Sequence, residues 1–497
     1  MTDSVRTIGS RLEPLLDDWL IAQFAGAQLR LHHPVRREIA LRFDQPWDGQ
    51  YSYDQVVMAD GGRFRMWYRG WHESTDGLSG AELYARIYTC YAESDDGIVW
   101  HRPELGLVEH AGSRANNIVL TGSDARAVSV FRDDNPATDP AERYKAIGVG
   151  PRRTPGLTAL RPEDLPAWGQ PLPADLGDGD LNSLLDRLPW PHRAELRGFV
   201  SPDGIHWRAI EPDPLIIAPP DPMAMFDSHN LAFWDGELGE YVVYARGWTP
   251  PGVRAIRRCT SPDFRRWSEF AFIDMGDAPT EHLYKNGAIP YARAPHIRLM
   301  FPKRFVSSRR RFAEWEGNGI SDTVFMSSRD GIHWQRRFGE AFVRPGSDPE
   351  NWTDRNMYLG SGMLATAPHE LSFYVIEHYR HPGAHLRRYT LRTDGFVSAY
   401  AGAAGGELLT HPLVAAGAQL QLNMATSAAG SVRVELQQPD GTPLPGYRLD
   451  DCPPLFGDDI ARTVHWRDGA RLEGLAGQPV RLRLVLHDAD VYALQFA

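Results

Sequence analysis

The stretch Ser201-Pro202-Asp203-Gly204-Ile205-His206-Trp207 decides the fold, because close copies of it recur along the chain. The copies keep the serine, the aspartate two residues later and the closing tryptophan, and they occupy residues 94–100, 261–267 and 328–334, with a degenerate version at 392–396. Successive tryptophans lie 107, 60 and 67 residues apart, and Phe396 follows 62 residues after the last of them. With the long interval set aside, the repeat unit spans about 60–67 residues.

Each copy has the chemistry of a tight turn between two strands. Serine and aspartate side chains hydrogen-bond turn backbone, glycine adopts a positive φ, and the tryptophan packs between neighbouring sheets. Two or three β-rich runs precede each turn, so a unit holds four strands. Five such units predict an all-β fold, a five-bladed β-propeller, whereas an unrelated set of hairpins would not repeat the same turn.

The chain divides into two predicted domains. Residues 1–402 form the propeller, with a lead-in segment at 1–40 and an insertion at about 151–195 that accounts for the long interval. Residues 403–497 lack the repeat but alternate between apolar and polar positions, which is typical of a β-sandwich domain.

Composition restricts the partners. The net charge of −11 argues against nucleic acid or an anionic membrane surface as the main partner. Cys90, Cys259 and Cys452 have no framework spacing and predict buried thiols in a reducing compartment. No run of 18 apolar residues and no N-terminal apolar signal segment occur, so we expect a cytoplasmic protein. Its oligomeric state stays open.

Polar residues gather where the innermost strand of each predicted blade begins, which is where side chains converge at one mouth of a propeller. The candidates, in blade order, are Asp48 and Asp54; Asp134; Asp227, His229 and Asn230; Glu281, Lys285 and Asn286, with Lys303 and Arg304; then Arg355, Glu377 and Tyr379. Glu377 and Tyr379 alternate on one strand and are expected to face the same side. Glycosidic cleavage needs two carboxyl groups of different protonation, which such a set contains.

Three stretches carry a family resemblance: residues 226–234 (FDSHNLAFW), 279–286 (PTEHLYKN) and 299–305 (LMFPKRF). Together with the repeats they resemble the propeller glycosidases of glycoside hydrolase families 32, 43 and 68, and a bacterial family 32-like group. The resemblance implies Asp48 or Asp54 as the first catalytic carboxylate, Asp227 as the transition-state stabiliser and Glu281 as the general acid. The chain departs from those families in lacking a Trp-Met-Asn-Asp-Pro-Asn-Gly stretch, Arg-Asp-Pro at Asp227 and Glu-Cys at Glu281.

The sequence thus predicts a glycoside hydrolase or transglycosylase that acts on a small, furanosidic oligosaccharide or glycoconjugate. The remaining candidates are assigned to substrate binding. No cofactor is expected, and a structural Ca²⁺ ion on the axis stays open. The spacing of His381 and His385 is that of a metal pair, but Pro382 and Gly383 between them favour a loop.

Three alternatives remain. The first is a glycoside phosphorylase, with Lys285, Lys303, Arg304 or Arg355 holding phosphate. The second is a sialidase, disfavoured by the repeat spacing and the blade count. The third is a propeller that binds carbohydrate without cleaving it, which the fold by itself permits. The aspartates of the repeat, such as Asp96 and Asp203, are interpreted as structural in every case.

Overall fold

The computed structural model describes residues 5–72, 86–122, 125–151, 194–211, 215–216, 226, 229–249, 252–315, 317, 319–467 and 472–497. These residues confirm the all-β class. Their helical segments are short 3₁₀ turns, among them Pro140–Glu142, Pro349–Trp352, Leu449–Asp451 and Leu472–Leu475. The predicted insertion at about 151–195 lies almost wholly outside the described residues.

The first half of the chain supplies five N-terminal strands and two antiparallel sheets. The N-terminal strands are β1 (Arg6–Gly9), β2 (Glu13–Pro14), β3 (Ile21–Ala25), β4 (Gln28–Leu31) and β5 (Val35–Arg42). Sheet I contains β6 (Tyr53–Asp60), β7 (Arg63–Gly70), β8 (Tyr88–Ser94) and β9 (Ile118–Thr121). Sheet II contains β10 (Ser129–Arg132), β11 (Tyr144–Pro151), β12 (Ala194–Ser201) and β13 (Arg208–Ala209). In both sheets the strands are adjacent in chain order.

Sheets III and IV follow the same pattern, but sheet IV is divided into two three-stranded halves. Sheet III contains β14 (Leu231–Asp235), β15 (Glu240–Thr249), β16 (Val253–Ser261) and β17 (Ala271–Phe272). One half of sheet IV pairs β18 (His282–Leu283), β21 (Lys303–Val306) and β22 (Ile320–Thr323). The other half pairs β19 (Ile289–Pro290), β20 (Arg298–Met300) and β23 (Met326–Ser328).

Sheet V joins the two ends of the repeat region. It consists of β24 (Leu364–Ala367), β25 (Glu370–Glu377) and β26 (His385–Arg392), and its fourth strand is the N-terminal β5. Arg36 on β5 donates to both carboxylate oxygens of Glu377, at 2.9 and 2.6 Å. The last part of the predicted lead-in segment is therefore a structural strand of the fifth sheet.

The C-terminal strands build one ten-stranded sheet. They are β27 (Val397–Ala401), β28 (Gly406–Thr410), β29 (Leu413–Ala415), β30 (Leu420–Gln437), β31 (Asp458–Thr463) and β32 (Pro479–Phe496). Strands β1 to β4 complete this sheet, so the N-terminal residues pair with the C-terminal ones. Because β27 already pairs with β32 and β4, the sheet begins before residue 403.

The repeated turn has the internal hydrogen bonds that its sequence predicts. In residues 201–207, the Gly204 amide donates to the Ser201 hydroxyl at 2.9 Å, and the Asp203 carboxylate accepts from the Ile205 and His206 amides at 2.9 and 2.8 Å. Gly204 has a φ of +77°. The turn is thus closed by its own side chains, as expected for a structural role of Asp203.

Each turn also packs against the sheet that precedes its own. Trp67 of sheet I donates its indole N–H to the Gly204 carbonyl at 2.8 Å. Tyr244 of sheet III donates to the Gly331 carbonyl at 2.7 Å, and Tyr374 of sheet V donates to the Gly97 carbonyl. The remaining two junctions are aromatic contacts, with ring centroids 5.5 Å apart for Phe131 and Phe264 and 5.4 Å for Tyr291 and Phe396. Sheet V thereby contacts sheet I, and the five contacts close a ring.

Replacing Gly204 by alanine tests this junction. A Cβ atom on Gly204 would lie 2.7 Å from Trp67 Cζ2, whereas a Cβ on Gly239, which has a similar φ of +72°, meets nothing within 4 Å. We expect Gly239→Ala to cost about 1 kcal/mol through backbone strain alone, and Gly204→Ala to cost about 3 kcal/mol because overlap with the indole adds to the strain. Urea unfolding followed by tryptophan fluorescence measures both; equal losses would contradict the proposed packing.

Candidate functional site

Charged side chains from four sheets meet near the starts of inner strands. Asp54 lies at the start of β6, and Lys285 lies between β18 and β19. The Lys285 ammonium forms an ion pair with Asp54 Oδ1, and Arg69 Nη1 lies 3.2 Å from Asp54 Oδ2. The side chains of Asp54 and Lys285 are fully buried. A buried ion pair of this kind is costly to assemble, so its presence marks a specialised place in the fold.

Aromatic rings surround these charges. The Lys285 Nζ lies 3.5 Å from the Tyr53 ring centroid and 4.5 Å from that of Tyr358. The Lys303 Nζ lies 4.7 Å from the Tyr284 ring centroid, and the Arg69 guanidinium lies 3.9 Å from that of Tyr53. Cation–π attraction holds the cations at these rings and keeps their positions defined.

A second carboxylate lies toward the more exposed side. Asp354 is buried and approaches Arg355 Nη1 at 3.4 Å and Arg380 Nη1 at 3.2 Å. The side chains of Arg355 and Arg380 are 32% and 24% exposed. Lys303 joins the two regions by donating to the Arg355 carbonyl at 3.2 Å. The exposure of the side chains thus increases from Asp54, which is fully buried, to Arg355, which is partly exposed.

We call this set the inner-strand cluster. It comprises the ionisable residues Asp54, Arg69, His229, Lys285, Lys303, Asp354, Arg355 and Arg380, and the rings of Tyr53, Tyr284, Tyr358 and Tyr379. Among the residues that the structure describes, the cluster brings five cationic side chains together with two carboxylates. Positive charge is in excess.

Burial and charge shift the pKa values in this cluster. Burial alone would raise the pKa of Asp54, but Lys285, Arg69 and His229 lower it to about 2. Burial lowers the pKa of Lys303 well below its usual value, and the neighbouring Lys285 and Arg355 lower it further. Burial likewise lowers the pKa of His229 to about 3. At neutral pH the carboxylate is ionised and the imidazole is neutral.

His229 has one ring nitrogen engaged and one available. Its Nδ1 lies 2.8 Å from the Tyr358 hydroxyl, and its buried Nε2 has no hydrogen-bond partner among the described residues. Asn230 and Asn286, which the sequence also assigned to substrate binding, contact backbone. Asn230 accepts from the Arg246 amide at 3.2 Å, and Asn286 donates to the carbonyls of His229 and Tyr244 at 3.2 and 3.1 Å.

Backbone conformation around the cluster is unusual. Asp54, Arg355, Met357, His378 and Arg380 all have φ between +57° and +69°. Non-glycine residues in the left-handed region are strained, and such residues concentrate at functional sites. This conformation also has a local effect, because left-handed His378 ends the alternation of side chains along β25. Glu377 therefore faces Arg36, while the Tyr379 ring packs with its centroid 4.8 Å from that of Tyr53. The expected common side of Glu377 and Tyr379 is therefore not observed.

Several predicted residues lie apart from the cluster. Asp134 follows β10 at the end opposite to the inner-strand starts, is 65% exposed and pairs with Arg132 at 2.9 Å. Glu281 lies between two guanidinium groups, at 3.0 Å from Arg304 and 3.0 Å from Arg336. Arg304 also binds Asp322, at 2.9 and 2.6 Å. Asp227 lies outside the described residues, so its role stays a prediction.

Asp48 has a separate environment. Its carboxylate accepts from the Gln45 amide at 2.7 Å and the Tyr68 hydroxyl at 3.1 Å, and Arg102 Nη2 lies 3.5 Å away. The side chain is fully buried, and burial raises the pKa of Asp48 to about 7 although Arg102 opposes the shift. These contacts involve no member of the inner-strand cluster.

Sequence reasoning assigned no role to Arg69, Asp354 and Arg380 or to three of the four tyrosines. Asp354 is the direct neighbour of the predicted Arg355, and Tyr53 precedes the predicted Asp54, so neighbourhood was an available signal. Arg69 carried no such signal, because it lies at the far end of β7 and reaches Asp54 only through strand pairing.

The one group of possible metal ligands among the described residues is Asp348, Glu377 and His378, with ligand atoms within 4.8 Å of one another. Glu377 already accepts hydrogen bonds from Arg36, Arg387 and Tyr389. Those protein donors occupy both of its carboxylate oxygens.

In the described part of the chain, no helix is long and apolar enough to cross a membrane.

Comparisons with known proteins return structural likeness only. No family model matches the sequence, and no curated protein does. A solved structure titled glycoside hydrolase is 13% identical, with a TM-score of 0.43, over 72% of this chain and 92% of its own. A family 32 β-fructofuranosidase of Bombyx mori is 9% identical, with a TM-score of 0.39, over 94% of each chain. A family 43 arabinoxylan arabinofuranohydrolase of Bacillus subtilis is 12% identical, with a TM-score of 0.37, over 90% of this chain and 96% of its own. Likeness at this level does not identify an activity.

Asp48→Asn tests the buried carboxyl. Because the folded pKa of about 7 exceeds the ordinary value of 3.8, the folded protein keeps a proton that the unfolded chain releases. Stability therefore declines as pH rises from about 4 to 7, by at most about 4 kcal/mol. Asparagine keeps the shape without titrating, so Asp48→Asn should be more stable than wild type above pH 7. Urea unfolding from pH 4 to 8 measures this.

Asp95→Asn is the control for that experiment, since its side chain is 85% exposed. Its stability should follow the wild-type curve at every pH. Parallel pH profiles for Asp48→Asn and wild type would show that Asp48 is ionised in the folded protein at neutral pH.

Proposed function

We propose that the chain is a five-bladed β-propeller glycoside hydrolase whose active site is the inner-strand cluster. The closed ring of contacts among sheets I to V supports the propeller assignment, with each sheet as one blade. The ten-stranded sheet, formed by the chain's two ends, is proposed as the accompanying β-sandwich domain, with residues 403–497 as its main part.

One observation carries the functional proposal: a fully buried, ionised Asp54 at the start of an inner strand, enclosed by tyrosine rings. A carboxylate sealed among aromatic rings is expensive to bury, and strongly perturbed ionisable groups concentrate at functional sites. Aromatic walls with a few convergent polar groups are typical of sites for small organic ligands. Sugar rings present both apolar faces and hydroxyl groups, and they fit such walls.

The low pKa of Asp54 restricts its role. A general base works best with a pKa near the operating pH, whereas a pKa of about 2 suits a group that stays ionised throughout the reaction. Asp54 is therefore proposed to face the anomeric carbon and to act as nucleophile or as stabiliser of the positive charge that develops there. In the overall hydrolysis, water oxygen bonds to the anomeric carbon, the bond to the leaving oxygen breaks, and that oxygen takes a proton.

The proton donor is proposed from the sequence. Glu281 remains the general acid, and Asp227 the transition-state stabiliser, that the family resemblance implies. The furanosidic preference and the small carbohydrate substrate come from the same resemblance. Glu281 is 23% exposed, and both of its carboxylate oxygens pair with guanidinium groups, those of Arg304 and Arg336. A role for Glu281 as acid therefore requires that substrate binding weaken one of these pairs.

Asp54→Asn is expected to lower kcat at least 1000-fold on whichever aryl furanoside or pyranoside the wild-type enzyme cleaves, because it removes the charge that stabilises the transition state. Asp54→Glu keeps the charge but moves the carboxylate by one methylene group, so the folded variant should lose about 100-fold in kcat. Asp95→Asn is the control and should retain full activity. Near-normal turnover by folded Asp54→Asn would refute the assignment.

Glu281→Gln tests the proton donor separately. Loss of a general acid slows substrates with poor leaving groups and spares those whose leaving group is already acidic. We expect a large loss on alkyl glycosides and near-normal rates on dinitrophenyl glycosides. A uniform loss across both, or no loss, would remove Glu281 from that role and leave its pairs with Arg304 and Arg336 as its function.

A further inference from the structure

The charge of the inner-strand cluster conflicts with the reaction proposed for it. Five cations against two carboxylates leave an excess of three positive charges among the described residues when all are ionised. Glycosidic cleavage passes through an oxocarbenium-like transition state, which is itself positive. Nearby positive charge opposes such a state, and more strongly in a buried site than in water. Within the described residues, a neutral sugar adds no negative charge that would offset this repulsion.

Lys303 shows the imbalance most clearly. Its side chain is fully buried, yet it donates a hydrogen bond to a neutral group, the Arg355 carbonyl, and it forms no ion pair with a carboxylate in the described part of the chain. Lys285 and Arg355 lie close enough to disfavour its charge. Burying an ammonium without a counter-ion is costly, and a bound anion removes that cost.

The neighbouring groups suit an oxyanion. Arg355 is 32% exposed and offers a guanidinium fork next to Lys303, which matches two oxygens of a carboxylate, sulfate or phosphate. His229 has a buried ring nitrogen with no described partner and lies beside Tyr358 and Asp54. Lys303 and Arg355 are thus neighbouring cations, with a nitrogen-bearing ring in the same cluster.

We infer that the inner-strand cluster binds an oxyanion, held by Lys303 and Arg355 with His229 nearby. The inference rests on the proposed function and specifies its substrate class. The oxyanion comes either from an acidic substituent on the sugar or from free inorganic phosphate that replaces water. In the second case a phosphate oxygen bonds to the anomeric carbon, the bond to the leaving oxygen breaks, and the proton of the phosphate ends on that oxygen.

Binding of simple anions tests the inference without any assay of catalysis. Isothermal titration calorimetry at low ionic strength, where charge interactions are least screened, compares inorganic phosphate, sulfate and D-glucuronate with D-glucose. We expect at least one anion to bind wild type at least tenfold more tightly than D-glucose does. Lys303→Gln and Arg355→Gln should each weaken that anion at least tenfold. Arg355→Gln serves as the second variant because its side chain is 32% exposed and Asp354 keeps its pair with Arg380 when Arg355 is replaced.

Arg309→Gln is the matched control, since it removes one positive charge from an exposed position outside the cluster. It should leave anion affinity unchanged. Absence of anion binding to wild type, or binding that Lys303→Gln and Arg355→Gln leave intact, would overturn the inference.

Glycoside cleavage then distinguishes the two sources of the oxyanion. Turnover that requires phosphate and yields a sugar phosphate identifies free phosphate. A kcat/KM at least tenfold higher for aryl uronides than for the matching neutral glycosides, without phosphate dependence, identifies a substituent. Equal cleavage of neutral and acidic glycosides with no effect of phosphate would overturn the inference and leave the hydrolase proposal intact. Site-specific anion binding with no cleavage of any glycoside would support the oxyanion site and refute the hydrolase proposal.

Discussion

The structure depends on a contact between a turn and the sheet before it. Trp67 and Tyr244 each donate a hydrogen bond to a glycine carbonyl in the next sheet's turn, at 2.8 and 2.7 Å. The turn can present that carbonyl because its own serine and aspartate side chains satisfy its amides and hold the glycine at positive φ. The aromatic side chain reaches this carbonyl only if the distance and the angle between the two sheets are fixed. A local hydrogen-bonding pattern thereby determines how neighbouring sheets pack.

Ring closure carries this constraint to the centre of the molecule. Because β5 from the N-terminal region completes sheet V, the chain's two ends are bound to each other, and the first and fifth sheets cannot separate without breaking strand pairing. With the sheets held in this way, charged side chains from sheets I, III, IV and V come together. Asp54 then meets Lys285, which lies 231 positions away in sequence. The fully buried ion pair between them is stable only because tyrosine rings and Arg69 surround it.

The described residues of this centre include more cations than carboxylates. A protein whose net charge is −11 concentrates cations where its inner strands meet. This contrast sharpens the electrostatic field inside the site, since acidic groups elsewhere do not neutralise it at short range. Glu281 illustrates the opposite case: Arg304 and Arg336 satisfy both of its oxygens, which makes it part of a balanced network.

The sequence by itself determined the all-β class and the position of every repeated turn, because seven consecutive residues contain all the side chains that close the turn. It also placed Lys285, Lys303 and Arg355 near the ends of strands, because the position of the repeated turn indicates where the strands of each unit begin and end. Only the tertiary structure decided which charges meet. Arg69 reaches Asp54 across paired strands, and left-handed His378 turns Tyr379 inward while Glu377 binds Arg36. Such relations depend on register, on strand alternation and on single backbone angles, which packing between distant segments decides and local sequence does not.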